Sequence, residues 1–434
     1  MNFYIHTFGC KVNSYESACL SQNLQDISYI QSDDYKNCDI IIINSCTVTS
    51  QGDGRVLSAL KKYRKKNPDA VLVLTGCFPQ THSAKLESID ADIITGTKNR
   101  KAIPAYIQRF LSAHEKIIDV SDYQKGDKFE EMSFTEFTGH TRAFVKIQDG
   151  CNQFCSYCTI PYARGRCRSK TPDALKKELE SSAKSGYREV VFCGINIAFW
   201  GDEFGLSLKD AVKIADETDG IERIRFGSLE PEKLTLADLE YFAKSKKFCP
   251  QFHLSLQSGC DETLKRMNRK YNTSDYRKLA ETIKKLFPDA AFTTDVMVGF
   301  PGETDEEFEK SAEFVKSIGF SKVHIFRYSG REGTVADRMP DQISENVKIK
   351  RAEKLSEICK DSQKKFNESL IGKIFPVLFE RQNEPDYLHG HAPNGAVIKI
   401  SSKNYEKGLR NQIFCVIIKE CNDKFCFGEI VQND

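Results

Sequence analysis

The stretch Cys151-Asn152-Gln153-Phe154-Cys155-Ser156-Tyr157-Cys158 decides how this chain reads. It follows a short apolar strand pattern at 144–147 and the turn pair Asp149-Gly150. Its three thiols fall at the spacing C-x3-C-x2-C. A disulfide framework pairs its cysteines, and a structural zinc site takes four ligands. Three cysteines this close can hold three irons of a [4Fe–4S] cube and leave the fourth iron without a protein ligand, because cluster iron prefers thiolate. The plainer alternatives are a three-thiol zinc site completed by an outside histidine, or buried apolar cysteines.

Outward from that loop, strand and helix patterns alternate from Arg142 to about Tyr328. Strands are expected at 144–147, 189–193, 223–227, 252–256, 292–298 and 322–327, with helices such as 172–185 and 305–318 between them. Six strand–helix units in a row suggest an open or partial (βα)6 barrel, whose site is built from loops at the carboxyl ends of its strands. Those ends carry Gly194-Ile195-Asn196, Ser228-Leu229-Glu230-Pro231, Gln257-Ser258-Gly259, Gly299-Phe300-Pro301-Gly302-Glu303 and Tyr328-Ser329-Gly330-Arg331. Any single polar turn means little. Five on one rim, around a three-thiol loop, point to a pocket for a polar ligand.

The first hundred residues alternate in the same way. Strands are expected at 3–8, 39–44, 71–75 and, more weakly, 93–94, with helices at 13–24, 54–66 and 101–111. This pattern predicts a parallel sheet covered by helices. Cys10, Cys46 and Cys77 each follow one of the first three strands. Ligand sites of open α/β sheets lie beyond the carboxyl ends of strands, so three thiols distant in sequence can converge. Gly9 and Gly76 would let backbone approach a bulky group. Ordinary buried cysteines at strand ends remain the alternative. Cys19 and Cys38 read as buried thiols, and the basic run 61–66 suits a helix C-terminus, with RNA contact as the other option.

Residues 115–137 read as a linker and 344–366 as a charged helical connector. From 371 the period changes to strands, at 374–379, 396–400, 412–419 and 425–431, which suggests a small β-barrel. That segment holds as many acidic as basic side chains. Either a local patch of Lys399, Lys403, Lys407 and Arg410 meets phosphates, or the module acts partly as a lid.

With 434 residues, a net charge of +2 and 16 cysteines, the chain has room for two or three domains and carries no global basic signal for nucleic acid. A long chain this rich in regular patterns argues for reduced thiols and metal over disulfides. The start, Met1-Asn-Phe-Tyr-Ile-His-Thr-Phe, has no signal-peptide pattern. The apolar runs are strand-sized, too short to span a membrane, so a cytoplasmic location is expected.

The motif Cys151 to Cys158, with Tyr157 before the last thiol, resembles the signature of radical S-adenosylmethionine (SAM) enzymes. The likeness is closer to one family within them. Phe8-Gly9-Cys10-Lys11-Val12-Asn13, Asn44-Ser45-Cys46-Thr47-Val48-Thr49, Thr75-Gly76-Cys77, Ile160-Pro161-Tyr162-Ala163-Arg164-Gly165-Arg166, Leu256-Gln257-Ser258-Gly259 and Val298-Gly299-Phe300-Pro301-Gly302-Glu303 are similar to the methylthiotransferases. The forms around Cys10 and at Ser228-Leu229-Glu230-Pro231 resemble the members acting on N6-threonylcarbamoyladenosine at position 37 of tRNA.

The resemblance implies four segments: 1–120 carrying an auxiliary cluster, 138–343 as the radical SAM domain, 344–370 as a helical connector, and 371–434 as a TRAM-like RNA-binding barrel. It implies two [4Fe–4S] clusters, one on Cys151, Cys155 and Cys158 that generates a radical and one on Cys10, Cys46 and Cys77 that carries sulfur. SAM would serve twice, with Tyr157, Gly194, Asn196, Ser228, Glu230, Gln257 and Arg269 as the residues expected to position it. Arg269 suits a bidentate pair with a carboxylate. Arg164, Arg166 and Arg168 are expected to meet RNA phosphates or to form surface salt bridges. Partners implied are the tRNA anticodon stem-loop and an external one-electron donor, with the chain a monomer and no membrane. The same chemistry on isopentenyladenosine tRNA or on a ribosomal-protein aspartate, or a non-catalytic RNA-binding iron–sulfur carrier or sensor, are the alternatives. The two glycines in Ser50-Gln-Gly-Asp-Gly54 depart from the family pattern, and Cys167, Cys193, Cys249 and Cys260 are expected to be packing thiols.

Overall fold

The structure, a computed structural model, describes residues 1–47, 49–134, 140–382, 384–405 and 409–431. Val48, Lys407 and residues 135–139 of the linker region lie outside them. The N-terminal sheet is six-stranded and parallel. Its strands are β1 Asn2–Thr7, β2 Ile30–Gln31, β3 Ile40–Ser45, β4 Val71–Gly76, β5 Ile93–Thr95 and β6 Ile117–Asp119, in the order β2-β1-β3-β4-β5-β6. Helices α1 Lys11–Gln25, α2 Ser50–Lys66, α3 Cys77–Thr81 and α4 Ile103–Ala113 cover it. The run Ile40-Ile-Ile-Ile is buried on both faces, as an inner parallel strand requires. Ile41 and Ile43 pack into one core, and Ile40 and Ile42 into the other.

Two expectations in this domain are corrected. Helix α2 starts at Ser50, four residues before the expected start, because the Thr49 hydroxyl accepts from the Gly52 amide and Asp53 sits in the first turn. Residues 117–119, expected within the linker, form the edge strand β6. Three residues are too few to show a period, and their register with β5 becomes visible only in the fold.

The central domain begins with β7 Ala143–Lys146 and a short antiparallel pair, β8 Gln148–Asp149 with β9 Arg168–Ser169. α5 Ile160–Arg164 lies between the members of that pair, and α6 Pro172–Lys184 follows it. Then come β10 Glu189–Cys193, α7 Leu208–Asp216, β11 Arg223–Phe226, β12 Ser228–Leu229, α8 Leu236–Lys244 and β13 Gln251–Leu254. The domain ends with α9 Asp261–Arg266, α10 Thr273–Leu286, β14 Ala291–Val298, α11 Asp305–Ile318 and β15 Lys322–Arg327. Strands β11-β10-β7 form one parallel sheet and β12-β13-β14-β15 another, linked through a bridge from Ile224 to Phe248. The result is a partial (βα)6 barrel with β7 and β15 at its edges.

The connector is α12 Glu345–Glu368. Beyond it β16 Ile374–Phe379, β17 Tyr387–His391, β18 Val397–Ser401, β19 Ile413–Cys421 and β20 Cys426–Ile430 close a five-stranded barrel. β17 was not expected from the sequence, because Gly390 and two histidines blur its alternation. This barrel seats on the amino-terminal end of the central strands. Arg223 donates to the carbonyls of Pro376 and His391, and Arg225 to those of Ala392 and Pro393. Both guanidiniums also pair with the fully buried Glu189.

Candidate functional site

The turn Asp149-Gly150 delivers the first cysteine loop. Gly150 has φ +72, and a Cβ there would lie 2.0 Å from the Arg166 carbonyl oxygen, so only glycine fits. The loop is pinned from the far side of the barrel. Ser156 N donates to Met267 O at 3.0 Å, Ser156 Oγ to Arg266 O at 2.8 Å, and Asn268 Nδ2 to Phe154 O at 2.9 Å. Arg269 Nη1 donates to Cys155 Sγ at 3.2 Å, and the Gln153 amide to Cys151 Sγ at 3.4 Å. Burial pushes the Cys151 and Cys158 thiols up to about 12 each, and the neighbouring cysteines push the same way. Such thiols ionise when a metal centre takes their protons' place.

Cys10, Cys46 and Cys77 stand at the carboxyl ends of β1, β3 and β4. Gly9, at φ +104, brings the first of these ends against the second. A Cβ on it would lie 2.7 Å from Cys46 Cβ and 3.0 Å from Cys46 Sγ. Asn13 ties the ends together, donating from Nδ2 to Phe8 O at 2.8 Å and Ser45 O at 2.9 Å. Burial raises the Cys77 thiol to about 11, with Arg164 opposing and Cys46 and Cys10 adding to the rise. In neither triad do all three sulfurs come within 4.8 Å of one another; among the described residues that closeness occurs only for His253, Asp295 and His324. A single zinc ion with Zn–S of about 2.3 Å would need sulfurs roughly 3.8 Å apart. The soft thiolates of both triads suit cluster iron.

A buried ion network joins the two cysteine sites. Arg164, at the end of the helix that follows Cys158, is 1% exposed. Its guanidinium donates to both oxygens of Glu16 at 2.7 and 3.0 Å, to Asp149 Oδ1 at 3.2 Å and to Asn13 Oδ1 at 3.0 Å. Lys146 pairs with the same two carboxylates at 2.7 and 2.6 Å, and Arg100 with Glu16 at 3.1 Å. These cations hold Glu16 at about 2 and Asp149 well below the carboxylate range, against the opposing effect of burial. Arg164 and Arg168 are therefore interior residues and do not face RNA. Of the three arginines considered for that role only Arg166 is exposed, and its guanidinium lies 4.4 Å from the Phe154 ring centroid. In the C-terminal patch, Lys399 is likewise turned inward onto Glu384 and the Phe425 ring.

The residues expected to position a cofactor surround the first loop in part. Arg269 pairs with Glu230, whose carboxyl burial pushes up to about 7 while Arg269 opposes the shift. Asn196 is 2% exposed, and neither its Oδ1 nor its Nδ2 has a hydrogen-bond partner among the described residues. A buried amide left open on both ends has room for a hydrogen bond from a ligand or an ordered water. Gly194 packs so closely on Gln148 O that a Cβ would stand 2.8 Å away. Gln257, at φ +65, lines a cavity of 190 Å³ with Tyr157, Cys158, Asp295, Met297 and Arg331. Ser228 is exposed on β12, beside His253 in the ladder.

Sequence reasoning missed Glu16 and Asp149, which read as ordinary charges, and the lumen residues His253, Asp295 and His324. Arg331, named only as part of a rim turn, bonds Thr47 Oγ1 at 2.6 Å and Asp53 Oδ2 at 2.7 Å and so closes the N-terminal domain over the cavity. A polar residue alternating with buried ones in β13 and β14 was the available signal for the lumen set.

The fold and the three-thiol loop define a radical SAM enzyme. The Radical SAM superfamily pattern matches residues 145–315, and that of Uncharacterized protein family UPF0004 matches 2–96. Among solved structures, the radical S-adenosylmethionine methyltransferase TsrM from Kitasatospora setae is similar in fold, with a TM-score of 0.53, 15% identity, and coverage of 75% of this chain and 72% of that one. A threonylcarbamoyladenosine tRNA methylthiotransferase of Bacillus subtilis, MtaB, is 36% identical over 95% of this chain and 93% of its own length. A tRNA-2-methylthio-N(6)-dimethylallyladenosine synthase of Clostridium botulinum is 36% identical over 91% and 90%. The chain belongs to the radical SAM tRNA methylthiotransferase family. It is a transferase acting on tRNA, and its family brings a [4Fe–4S] cluster and SAM. No helix among the described residues is long and apolar enough to cross a membrane.

Proposed function

We propose that this chain inserts sulfur and a methyl group at C2 of N6-threonylcarbamoyladenosine at position 37 of tRNA, using two [4Fe–4S] clusters. The observation that carries this reading is the buried network of Glu16, Arg164 and Asp149. It holds the rim with Cys10, Cys46 and Cys77 against the rim with Cys151, Cys155 and Cys158. Two three-thiol sites locked to each other suit a reaction that needs a radical source and a sulfur source at one substrate atom.

Cys151, Cys155 and Cys158 would hold the first cluster, which would supply the one-electron reduction that cleaves SAM. Around it the chain's own groups orient the cofactor. Asn196 offers an unpaired amide to its polar end. Gly194 lets the turn after β10 pack on Gln148, and Tyr157 and Gln257 line the cavity beside Cys158. Arg269 and Glu230 brace the loop at Cys155, and Ser228 stands on the same rim. Cys10, Cys46 and Cys77 would hold the second cluster, which would supply the sulfur. The electron comes from an external one-electron donor, the enzyme works as a monomer in the cytoplasm, and the C-terminal barrel takes part in holding the anticodon stem-loop.

For the substrate, the wall of the central barrel favours a polar N6 substituent over an apolar one, since His253, Asp295 and His324 face the lumen. The dimethylallyl reading rests on the Clostridium relatives, which are as similar in identity. The reconstituted enzyme with SAM and a reductant, offered tRNA carrying either base, separates the two by nucleoside mass spectrometry. Methylthio product on the threonylcarbamoyl base alone is the expected result. Product only on the dimethylallyl base overturns the assignment.

A further inference from the structure

The reduction potential of an iron–sulfur cluster follows the hydrogen bonds to its sulfurs, the net charge around it and the access of water. At Cys155 one side chain bears on all three. Arg269 follows α9, and its guanidinium stands between the cysteine loop and the turn after β12. Nη1 donates to Cys155 Sγ at 3.2 Å, Nη2 donates to Glu230 Oε2, and Nε donates to the Tyr271 hydroxyl at 3.1 Å. The Arg269 side chain is 4% exposed and that of Glu230 15%, so water screens both charges weakly.

The guanidinium is held at fixed distance from the sulfur. The Tyr271 hydroxyl lies 2.7 Å from Ser255 O and 2.8 Å from Leu256 O, just past the carboxyl end of β13, and the guanidinium carbon lies 4.9 Å from the Tyr271 ring centroid. The Arg269 amide donates to Leu264 O at 3.0 Å. The same turn grips the cysteine loop on both sides of Cys155, through Asn268 on Phe154 O and through Met267 O and Arg266 O on Ser156. Those bonds are neutral and already brace the loop. What Arg269 adds to them is a positive charge on a ligand sulfur, with a negative charge directly behind it.

Resting on the placement of the first cluster on Cys151, Cys155 and Cys158, we propose that Arg269 and Glu230 together set its redox poise. Arg269 is a positioning residue that acts through Cys155. An added electron makes the cluster more negative, so the guanidinium on Cys155 favours the reduced form and raises the potential. The Glu230 carboxylate, one guanidinium further out, limits that rise. One electron enters from the external donor, which is oxidised, and leaves to SAM, which is reduced and cleaved. Too low a potential starves the cluster of electrons, and too high a potential withholds the electron from SAM.

The test is an anaerobic redox titration of the full chain loaded with iron and sulfide, followed by electron paramagnetic resonance. Cys10, Cys46 and Cys77 are replaced by alanine throughout, so that one cluster is read. SAM is left out, so that changes in cofactor binding do not enter. The pH is about 8.5, where Glu230, pushed up to about 7 by burial, is ionised. Arg269→Met is expected to shift the equilibrium toward the oxidised form by about 10- to 100-fold, the span of a hydrogen bond to a charged group. The midpoint then falls by about 59 mV per tenfold for one electron. Glu230→Gln is expected to raise the midpoint, and Arg269→Lys, which keeps the charge, to lie between wild type and Arg269→Met. Should Arg269→Met alone fail to fold, Arg269→Met combined with Glu230→Gln leaves no unpaired charge and should titrate below Glu230→Gln. A merely structural role moves Arg269→Met and Glu230→Gln in the same direction, because looser packing admits water to the cluster in each. Shifts of one sign in both, or no shift in either, overturn the proposal. Failure of the cluster placement shows separately, as the parent chain with Arg269 and Glu230 intact binding no iron.

Discussion

Replacing Arg164 with methionine tests whether the buried network sets the relation between the two cysteine sites. The change removes the two-bond fork to Glu16 at 2.7 and 3.0 Å and the contact to Asp149 at 3.2 Å. Glu16 keeps Lys146 at 2.7 Å and Arg100 at 3.1 Å, and Asp149 keeps Lys146 at 2.6 Å. Removing one partner of a buried ion pair costs roughly 3–5 kcal/mol, and the remaining cations place this case near the lower end, about 3 kcal/mol. For a domain of this size that lowers the melting midpoint by roughly 10 °C. Both clusters should still assemble, since no cysteine is touched. What should change is coupling: SAM is still cleaved to 5′-deoxyadenosine, but fewer cleavages end in methylthiolated tRNA. The assay is anaerobic turnover, with 5′-deoxyadenosine and methylthio nucleoside measured in the same samples, beside a thermal melt. An unchanged ratio together with an unchanged melt would refute a positioning role for Arg164.

Three further outcomes follow from the same contacts. Glu189 is held at about 2, from an ordinary 4.5, by Arg225, Arg223 and Arg142 against the effect of burial. Its pairing therefore stabilises the seat of the C-terminal barrel above pH 4.5 and is lost as pH falls toward 2, about 3 kcal/mol over that window; urea midpoints measured against pH should show the slope, and Glu189→Gln should flatten it. Asn196→Leu removes an amide with no partner, so the fold should hold its stability while the KM for SAM rises and uncoupled turnover falls; an unchanged KM contradicts its role. An open groove of 1110 Å³ beside the cluster loop is lined by Asn152, Tyr162 and Arg166, and Tyr162 is 61% exposed. Arg166→Ala should weaken tRNA binding and reduce the salt slope by about one phosphate contact, with Tyr162→Ala weakening it without changing the slope.

Much of this fold was legible because the deciding signals are local. The Cys151–Cys158 spacing, the fully apolar Ile40-Ile-Ile-Ile strand and the turn at Gly299-Phe300-Pro301-Gly302 each carry their meaning within a few residues. The placement of Cys10, Cys46 and Cys77 followed from strand ends alone. Glu16 was not legible, since a glutamate in a helix reads as a solvated charge until its three cations, one from residue 100 and two from the next domain, come into place. Arg164 and Arg168 misled for the same reason. A basic cluster beside a functional loop suggests a partner outside, whereas their partners are inside. β6 and β17 were too short or too polar to show a period.

The central claim is two clusters with divided labour, and the variant with Cys10, Cys46 and Cys77 all changed to alanine tests it most directly. Wild-type protein reconstituted without oxygen should bind about eight irons per chain, two cubes of four, and form methylthiolated tRNA. The variant should bind about four, still cleave SAM to 5′-deoxyadenosine, and form no methylthio product. Full iron content in the variant, or methylthiolation without those three thiols, would contradict the account.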